Sequence, residues 1–259
     1  MGTLRVLTQD RNINVRIGWR QGHAFIEGPD PETIVAEVMA NMAGRDAAPE
    51  FNWTDSPRRV SADLYRTACL SMEGNERAQG FMAGWATDGV IRNGYIAVTR
   101  MDMTAGQQKL LKRLRALAAK ITPRHIQHAL VGGAYEEQSS FGLDPAAART
   151  HAHENRSPTK SKPPGKPGLI WLAFESIPLH PVFPVNTQIA HTTGWRHDAS
   201  GSDYVWPIWD GALTLEEVYY LRTLPTEALA KRRGVREIWC SHYGASGKFG
   251  VFLPAHRER

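Results

Sequence analysis

Near the start of the chain, Ile13, Val15, Ile17 and Trp19 alternate with polar or small residues, the period of a half-buried strand. Gln21-Gly22 reads as a turn and Ala24-Phe25-Ile26 as the returning strand. The period then changes. Asp30-Pro31 opens a helix, with Asp as N-cap and Pro at the first helical position, where a missing N–H is harmless. Ile34, Val35, Val38, Met39 and Met42 form its apolar face, and Gly44 ends it. A second helix is predicted from Ser61 to Met72, with Leu64, Ala68 and Leu70 as apolar contacts. Residues 73–100, rich in glycine and aromatics, predict a loop and one short strand, Tyr95 to Val98.

The clearest amphipathic pattern follows. Thr104 and Gln107 have capping-box spacing. Leu110, Leu111, Leu114, Leu117 and Ala118 cover one side of the helix they would open, and Lys109, Lys112, Arg113, Arg115 and Lys120 the other. Thr122-Pro123 starts a short helix carrying His125 and His128. From Asn155 to Gly168 the chain reads N-R-S-P-T-K-S-K-P-P-G-K-P-G, an exposed basic loop or linker. Beyond it, Leu169 to Phe174 is a buried segment. Thr214 and Glu217 cap a helix through Leu224, Thr226 to Arg233 forms another closed by Gly234, and Val235–His242 with Phe249–Leu253 form a hairpin across 244–247. The expectation is an α+β fold of short antiparallel strands, hairpins and several packed helices. Residues 1–154 and 169–259 would flank the loop of 155–168 and form one compact unit.

Composition narrows the class. The 259 residues are 42% hydrophobic and 22% charged, as in ordinary globular chains. The apolar run Leu169 to Phe174 is far too short for a bilayer, the first residues lack a signal-peptide pattern, and two cysteines make no disulfide framework or cysteine zinc site. These features predict a cytoplasmic protein. The 31 Lys and Arg exceed the 26 Asp and Glu, a net charge of +5 that favours an anionic partner.

No catalytic constellation stands out. His151-Ala152-His153-Glu154 lacks a third ligand of its own and sits beside the basic loop. Cys240 and His242 share a strand face without an orienting acid. Gly244 to Lys248 imitates the end of a phosphate loop, but the first glycine is missing and a strand follows. Asp198, Asp203 and Asp210 fit loop solvation better than a two-metal site. Neither metal nor cofactor is called for. The stronger signal is the interleaving of rings and cations from His191 through Trp195-Arg196 to Trp206 and Trp209, which suits stacking on unpaired bases. The plainer reading makes Trp206 and Trp209 core residues and leaves only Trp195 exposed.

Several phrases also carry a resemblance: Gly2-Thr3-Leu4-Arg5-Val6-Leu7, Thr104-Ala105-Gly106-Gln107-Gln108-Lys109, Leu143-Asp144-Pro145-Ala146, Trp171 to Leu179 with Pro184, and Trp206-Pro207-Ile208-Trp209 with Leu213-Thr214-Leu215. In this order they resemble small proteins of type I-G (formerly I-U) CRISPR loci. Those proteins sit among the subunits of an RNA-guided antiviral effector complex or extend its helicase-nuclease. The related proteins carry an apolar leader, roughly P-L-G-F-L-A-A-L-G, before the stretch matching Gly2 to Leu7. On that reading Leu4 to Leu7 is the tail of a helix, where local propensity favours a strand. The resemblance implies a non-catalytic subunit that binds guide RNA, target DNA or both, with the short adjacent duplex motif as a further contact, beside other effector subunits and the helicase-nuclease. Lys109, Lys112, Arg113, Arg115 and Lys120 would track phosphates. The loop bearing Lys160, Lys162 and Lys166 would probe a groove or displaced strand, and Trp195-Arg196 would make a third contact. Two alternatives stay open: a metal-dependent nuclease using His151, His153 and an aspartate of 198–210, and a scaffold that binds only protein.

Overall fold

A computed structural model describes residues 1–104, 108–137, 139–144, 165–198, 201–246 and 249–258. Helix α1 (Gly2–Arg5) runs on into a π-helical turn, Val6–Asp10, so the strand favoured by local propensity does not form. Leu4, Val6 and Leu7 are buried there. Strands β1 (Arg16–Arg20) and β2 (His23–Glu27) pair antiparallel as the alternation predicts. In α2 (Pro31–Met42), Asp30 accepts the Thr33 N–H at 2.9 Å. Short α3 (Pro49–Asn52) precedes α4 (Ala62–Ser71), whose inward face is Tyr65 and Ala68; Leu64 and Leu70, expected as contacts, are exposed.

Residues 73–100 depart from expectation. Helix α5 (Glu76–Trp85) lies where a loop was predicted, capped by Asn75, and leads into the β3 (Ala86–Arg92) and β4 (Tyr95–Val98) hairpin. Its glycines disguise it. A side chain at Gly84 would strike the backbone of Ile177, so this position serves close packing, which local propensity cannot register.

Helix α6 (Leu110–Ala118) starts later than the Thr104 spacing predicts. Thr104 is buried, and both its N–H and its hydroxyl bond Asp102 Oδ1, at 3.0 and 2.6 Å. Gln107 lies outside the described residues. The Asp55 carbonyl takes the Leu111 and Lys112 N–H groups at 3.0 and 3.2 Å, so a distant backbone oxygen does the work of a cap. Helix α7 (Pro123–Val131) carries a full capping box from Thr122 and His125. Helix α8 (Pro167–Glu175) turns the expected buried segment into a helix burying Ile170, Trp171, Leu172 and Phe174.

The rest is mainly antiparallel sheet. β5 (Val182–Pro184) pairs β6 (Ala190–Thr192). β7 (Trp195–Asp198), β8 (Gly201–Trp209), β10 (Val235–Ser246) and β11 (Phe249–Phe252) form a sheet in the order β11-β10-β8-β7, with β12 (His256–Arg257) also on β10. β9 (Ala212–Leu213) joins β1. Helices α9 (Leu215–Thr223) and α10 (Thr226–Lys231) lie between β9 and β10, α9 with the predicted Thr214–Glu217 capping box. The fold is α+β. One core cluster draws on both sides of 155–168, from Leu4 to Phe252. No described helix is long and apolar enough to cross a membrane.

At its centre is a buried ionic chain. Arg5 donates to both the Glu175 carboxylate and carbonyl, and to Asp10 at 2.9 and 3.0 Å. Arg45 donates to Glu175 Oε1 at 3.1 Å and also to Glu50, which Arg77 approaches at 3.4 Å. Burial works to lower the Arg45 pKa, yet Glu175 and Glu50 hold it above the ordinary arginine value. Removing the central acid leaves two arginines buried beside each other. Glu175→Ala is therefore expected to reduce the unfolding free energy by about 3–5 kcal/mol. Urea denaturation checks this, and a negligible loss would mean that the two guanidinium groups find water.

Candidate nucleic-acid interface

On α6 the four buried leucines, Leu110, Leu111, Leu114 and Leu117, fix which side faces out. The opposite side is not the uniform basic stripe that helical spacing predicts. Lys109, Lys112 and Lys120 are exposed, with no acidic partner among the described residues. Arg113 instead folds inward: it donates to Gln108 Oε1 at 2.8 Å and to Ser139 Oγ, and its guanidinium lies 4.3 Å from the Phe141 ring centroid. Burial lowers its pKa, against the pull of Asp102. Arg115 pairs with Asp55 at 2.6 Å and reaches the carbonyls of Phe51 and Thr54. These two arginines clamp α6 to its neighbours and are not free phosphate contacts. Spacing missed this because their partners lie tens of residues away.

The neighbouring α7 adds Arg124, which is exposed. Its helix partner His125 is occupied: Nδ1 accepts the Thr122 N–H at 3.1 Å, and Nε2 lies 3.2 Å from Glu136. Lys166 precedes α8, its ammonium 4.9 Å from the Tyr135 ring centroid. Lys160, Lys162, His151 and His153 lie outside the described residues.

The Trp195-Arg196 segment is not an exposed stacking platform. Trp195 is 7% exposed and stacks on Phe252, centroids 5.5 Å apart. Trp209 is also buried, its indole donating to the Ile17 carbonyl at 3.3 Å, while Trp206 is half-buried. The exposure expected for Trp195 is thus reversed, because the β10–β11 hairpin brings Phe252 and Tyr243 over its ring. Arg196 bridges Asp203, at 2.7 Å, and Glu258. Asp203 also lies 2.8 Å from His242 Nδ1, which draws His242 away from the cysteine. Cys240 instead has His256 Nε2 at 3.1 Å, and burial pushes its thiol pKa up, away from the nucleophilic thiolate. The described residues contain no group of three potential metal ligands. Asp203 is committed to Arg196 and His242, and Asp210 faces Arg236 at 3.5 Å.

Sequence reasoning overlooked a cleft of about 600 Å³ between the β6–β7 turn and α9–α10, with Arg222 in its wall. Arg222 sits in the last turn of α9, where a cation normally reads as a surface partner of the helix dipole, so the sequence held no signal for it. Close by, His180 is fully buried and its Nδ1 lies 3.2 Å from the Thr193 carbonyl. Burial, reinforced by Arg222, lowers its pKa to about 3. The ring is therefore neutral in the folded protein, and the unfolded chain binds the extra proton between the ordinary value of 6.5 and 3. His180 thus favours folding fully above pH 6.5, and that contribution is lost as pH falls towards 3. Stability is expected to drop by about 1.4 kcal/mol per pH unit in this window. Denaturation midpoints of the protein and of His180→Gln between pH 7 and 5 check it; parallel curves would refute it.

No protein-family model and no curated protein matches the chain.

Proposed function

We propose that the protein is a non-catalytic, nucleic-acid-binding subunit of an RNA-guided effector complex of the type I CRISPR kind. Lys109, Lys112, Lys120 and Arg124 hold the phosphate backbone of target DNA or guide RNA. The supporting observation is that four exposed cations, Lys109, Lys112, Lys120 and Arg124, are grouped along α6 and the start of α7. Some exposed arginines elsewhere face acids, Arg11 with Glu37 at 2.6 Å, Arg66 with Asp88 at 2.6 Å and Arg257 with Glu237 at 3.7 Å, while others, such as Arg16, Arg59 and Arg233, have no acidic partner among the described residues. The exposed cations of α6 and the adjoining start of α7 have no such partner among the described residues. Unpaired lysines on and beside α6 neutralise a backbone without reading bases, because an ammonium is a point charge with no fixed hydrogen-bond fork. The RNA-guided setting comes from the resemblance, in which guide pairing reads sequence and protein subunits hold backbones.

Replacing Lys112 and Lys120 together with Glu should weaken binding of every sequence by at least about tenfold at low salt, and reduce the salt slope by about two. Arg236→Glu, which alters a cation already paired with Asp210, should leave binding unchanged. Filter binding over a salt series measures both, and an unaltered low-salt affinity in the double variant would sink the assignment. A tagged pull-down, co-expressed with the genomic neighbours and their repeat array, tests the setting. Recovery of a uniform small RNA with partner subunits supports it; recovery of the protein alone refutes it.

A further inference from the structure

Among the described residues, buried arginines are answered by carboxylates, with one exception. Arg5 and Arg45 each bind Glu175 and a second acid. Arg222 is 4% exposed and has no acidic partner among the described residues. Among the described residues its guanidinium donates once, from Nη1 to the Val205 carbonyl, and lies 4.7 Å from the Tyr204 ring centroid. Nε and Nη2 have no acceptor. Those two atoms form the edge of the guanidinium that grips two oxygens of an oxyanion side by side. The surroundings do not supply the missing charge. His180 is neutral, burial keeps the Tyr204 phenol protonated, and Glu227, which also lines the cleft, is exposed.

The cleft that Arg222 lines has the features of a built site. Gly194, at φ +81°, is held left-handed, and Nη2 packs directly against it where any side chain would fall. Trp195 lines the same cleft, and its buried indole N–H is another donor without an acceptor. Phe183 and Tyr219 also line the cleft, 44% and 38% exposed, and offer planar faces. A volume of about 600 Å³ suits a ligand of nucleotide size.

We propose that this cleft binds the terminal phosphate of a nucleoside phosphomonoester, anchored by Arg222. A phosphomonoester brings three oxygens and up to two charges to the unpaired cation, where a carboxylate brings two oxygens and one charge. Its base rests against the exposed rings. The same group is found on a free mononucleotide and on the phosphorylated end of a nucleic-acid strand.

The test is isothermal titration at constant ionic strength with AMP, adenosine, inorganic phosphate, acetate, and one short oligonucleotide carrying either a 5′-phosphate or a 5′-hydroxyl. AMP and inorganic phosphate should compete for one site, while adenosine and acetate bind at least about tenfold more weakly than AMP. Binding of AMP together with the 5′-phosphorylated strand admits both sources. Binding of the strand alone, with loss on removal of its phosphate, assigns the site to strand ends. Arg222→Met should weaken the phosphate ligands at least about tenfold. Thr226→Glu, which adds a negative charge on the cleft lining, should do the same and serves where the buried variant fails to fold. The Lys112 and Lys120 double replacement should leave AMP affinity unchanged, which separates this site from the backbone-binding surface. Absence of binding by every phosphate ligand at about 10 mM, equal binding of acetate, or full affinity in both cleft variants would overturn the proposal.

Discussion

Glu175 connects parts of the chain that are otherwise remote. Its carboxylate takes hydrogen bonds from Arg5 and Arg45, which continue to Asp10 and Glu50, so α1, the segment before α3 and the end of α8 meet at one buried point. Removing such charges from water costs several kcal/mol each, and the cost is offset only when every charge has partners in place. The aromatic packing around the chain completes the fit: the Arg45 guanidinium lies 4.7 Å from the Phe51 ring centroid and 5.0 Å from that of Phe81, while Trp85 and Trp171 pack against Phe51. The ionic contacts therefore join these segments at one point, and each charge is satisfied only when all of them are in place.

Charge pairing also distinguishes structural cations from candidate functional ones elsewhere in the fold. Arg113, Arg115 and Arg196 resemble surface cations in sequence, yet each is committed to protein partners. Lys109, Lys112 and Lys120 remain open to solvent. Arg222 is the reverse case, a cation withdrawn from water with its bidentate edge unanswered. Polyanion binding at an exposed surface and oxyanion capture in a cleft place different demands on a cation. The first asks for loosely held charge, the second for a fixed fork in a dry setting. The two kinds of residue occur in this chain at separate places.

Much of the local architecture was legible before any tertiary contact was known. Asp30-Pro31, Thr122-Pro123 and Thr214 with Glu217 announce helix starts, because the groups that satisfy the first N–H donors lie within a few residues. The β1–β2 and β10–β11 hairpins follow from alternation and intervening turns, and the α+β class follows from both. What tertiary structure alone decided are the interactions between distant residues. Helix α5 depends on glycines pressed against the Ile177–Pro178 backbone and ring, and α6 starts on a carbonyl from Asp55. Trp195 is buried by Phe252, and Arg196 is tied down by Glu258. The cleft at Arg222 exists because a turn at Gly194 and the end of α9 converge. Propensity, capping and periodicity act over a few residues and can be read along the chain. Burial and charge pairing belong to groups far apart in sequence, and are determined only when the chain has folded back on itself.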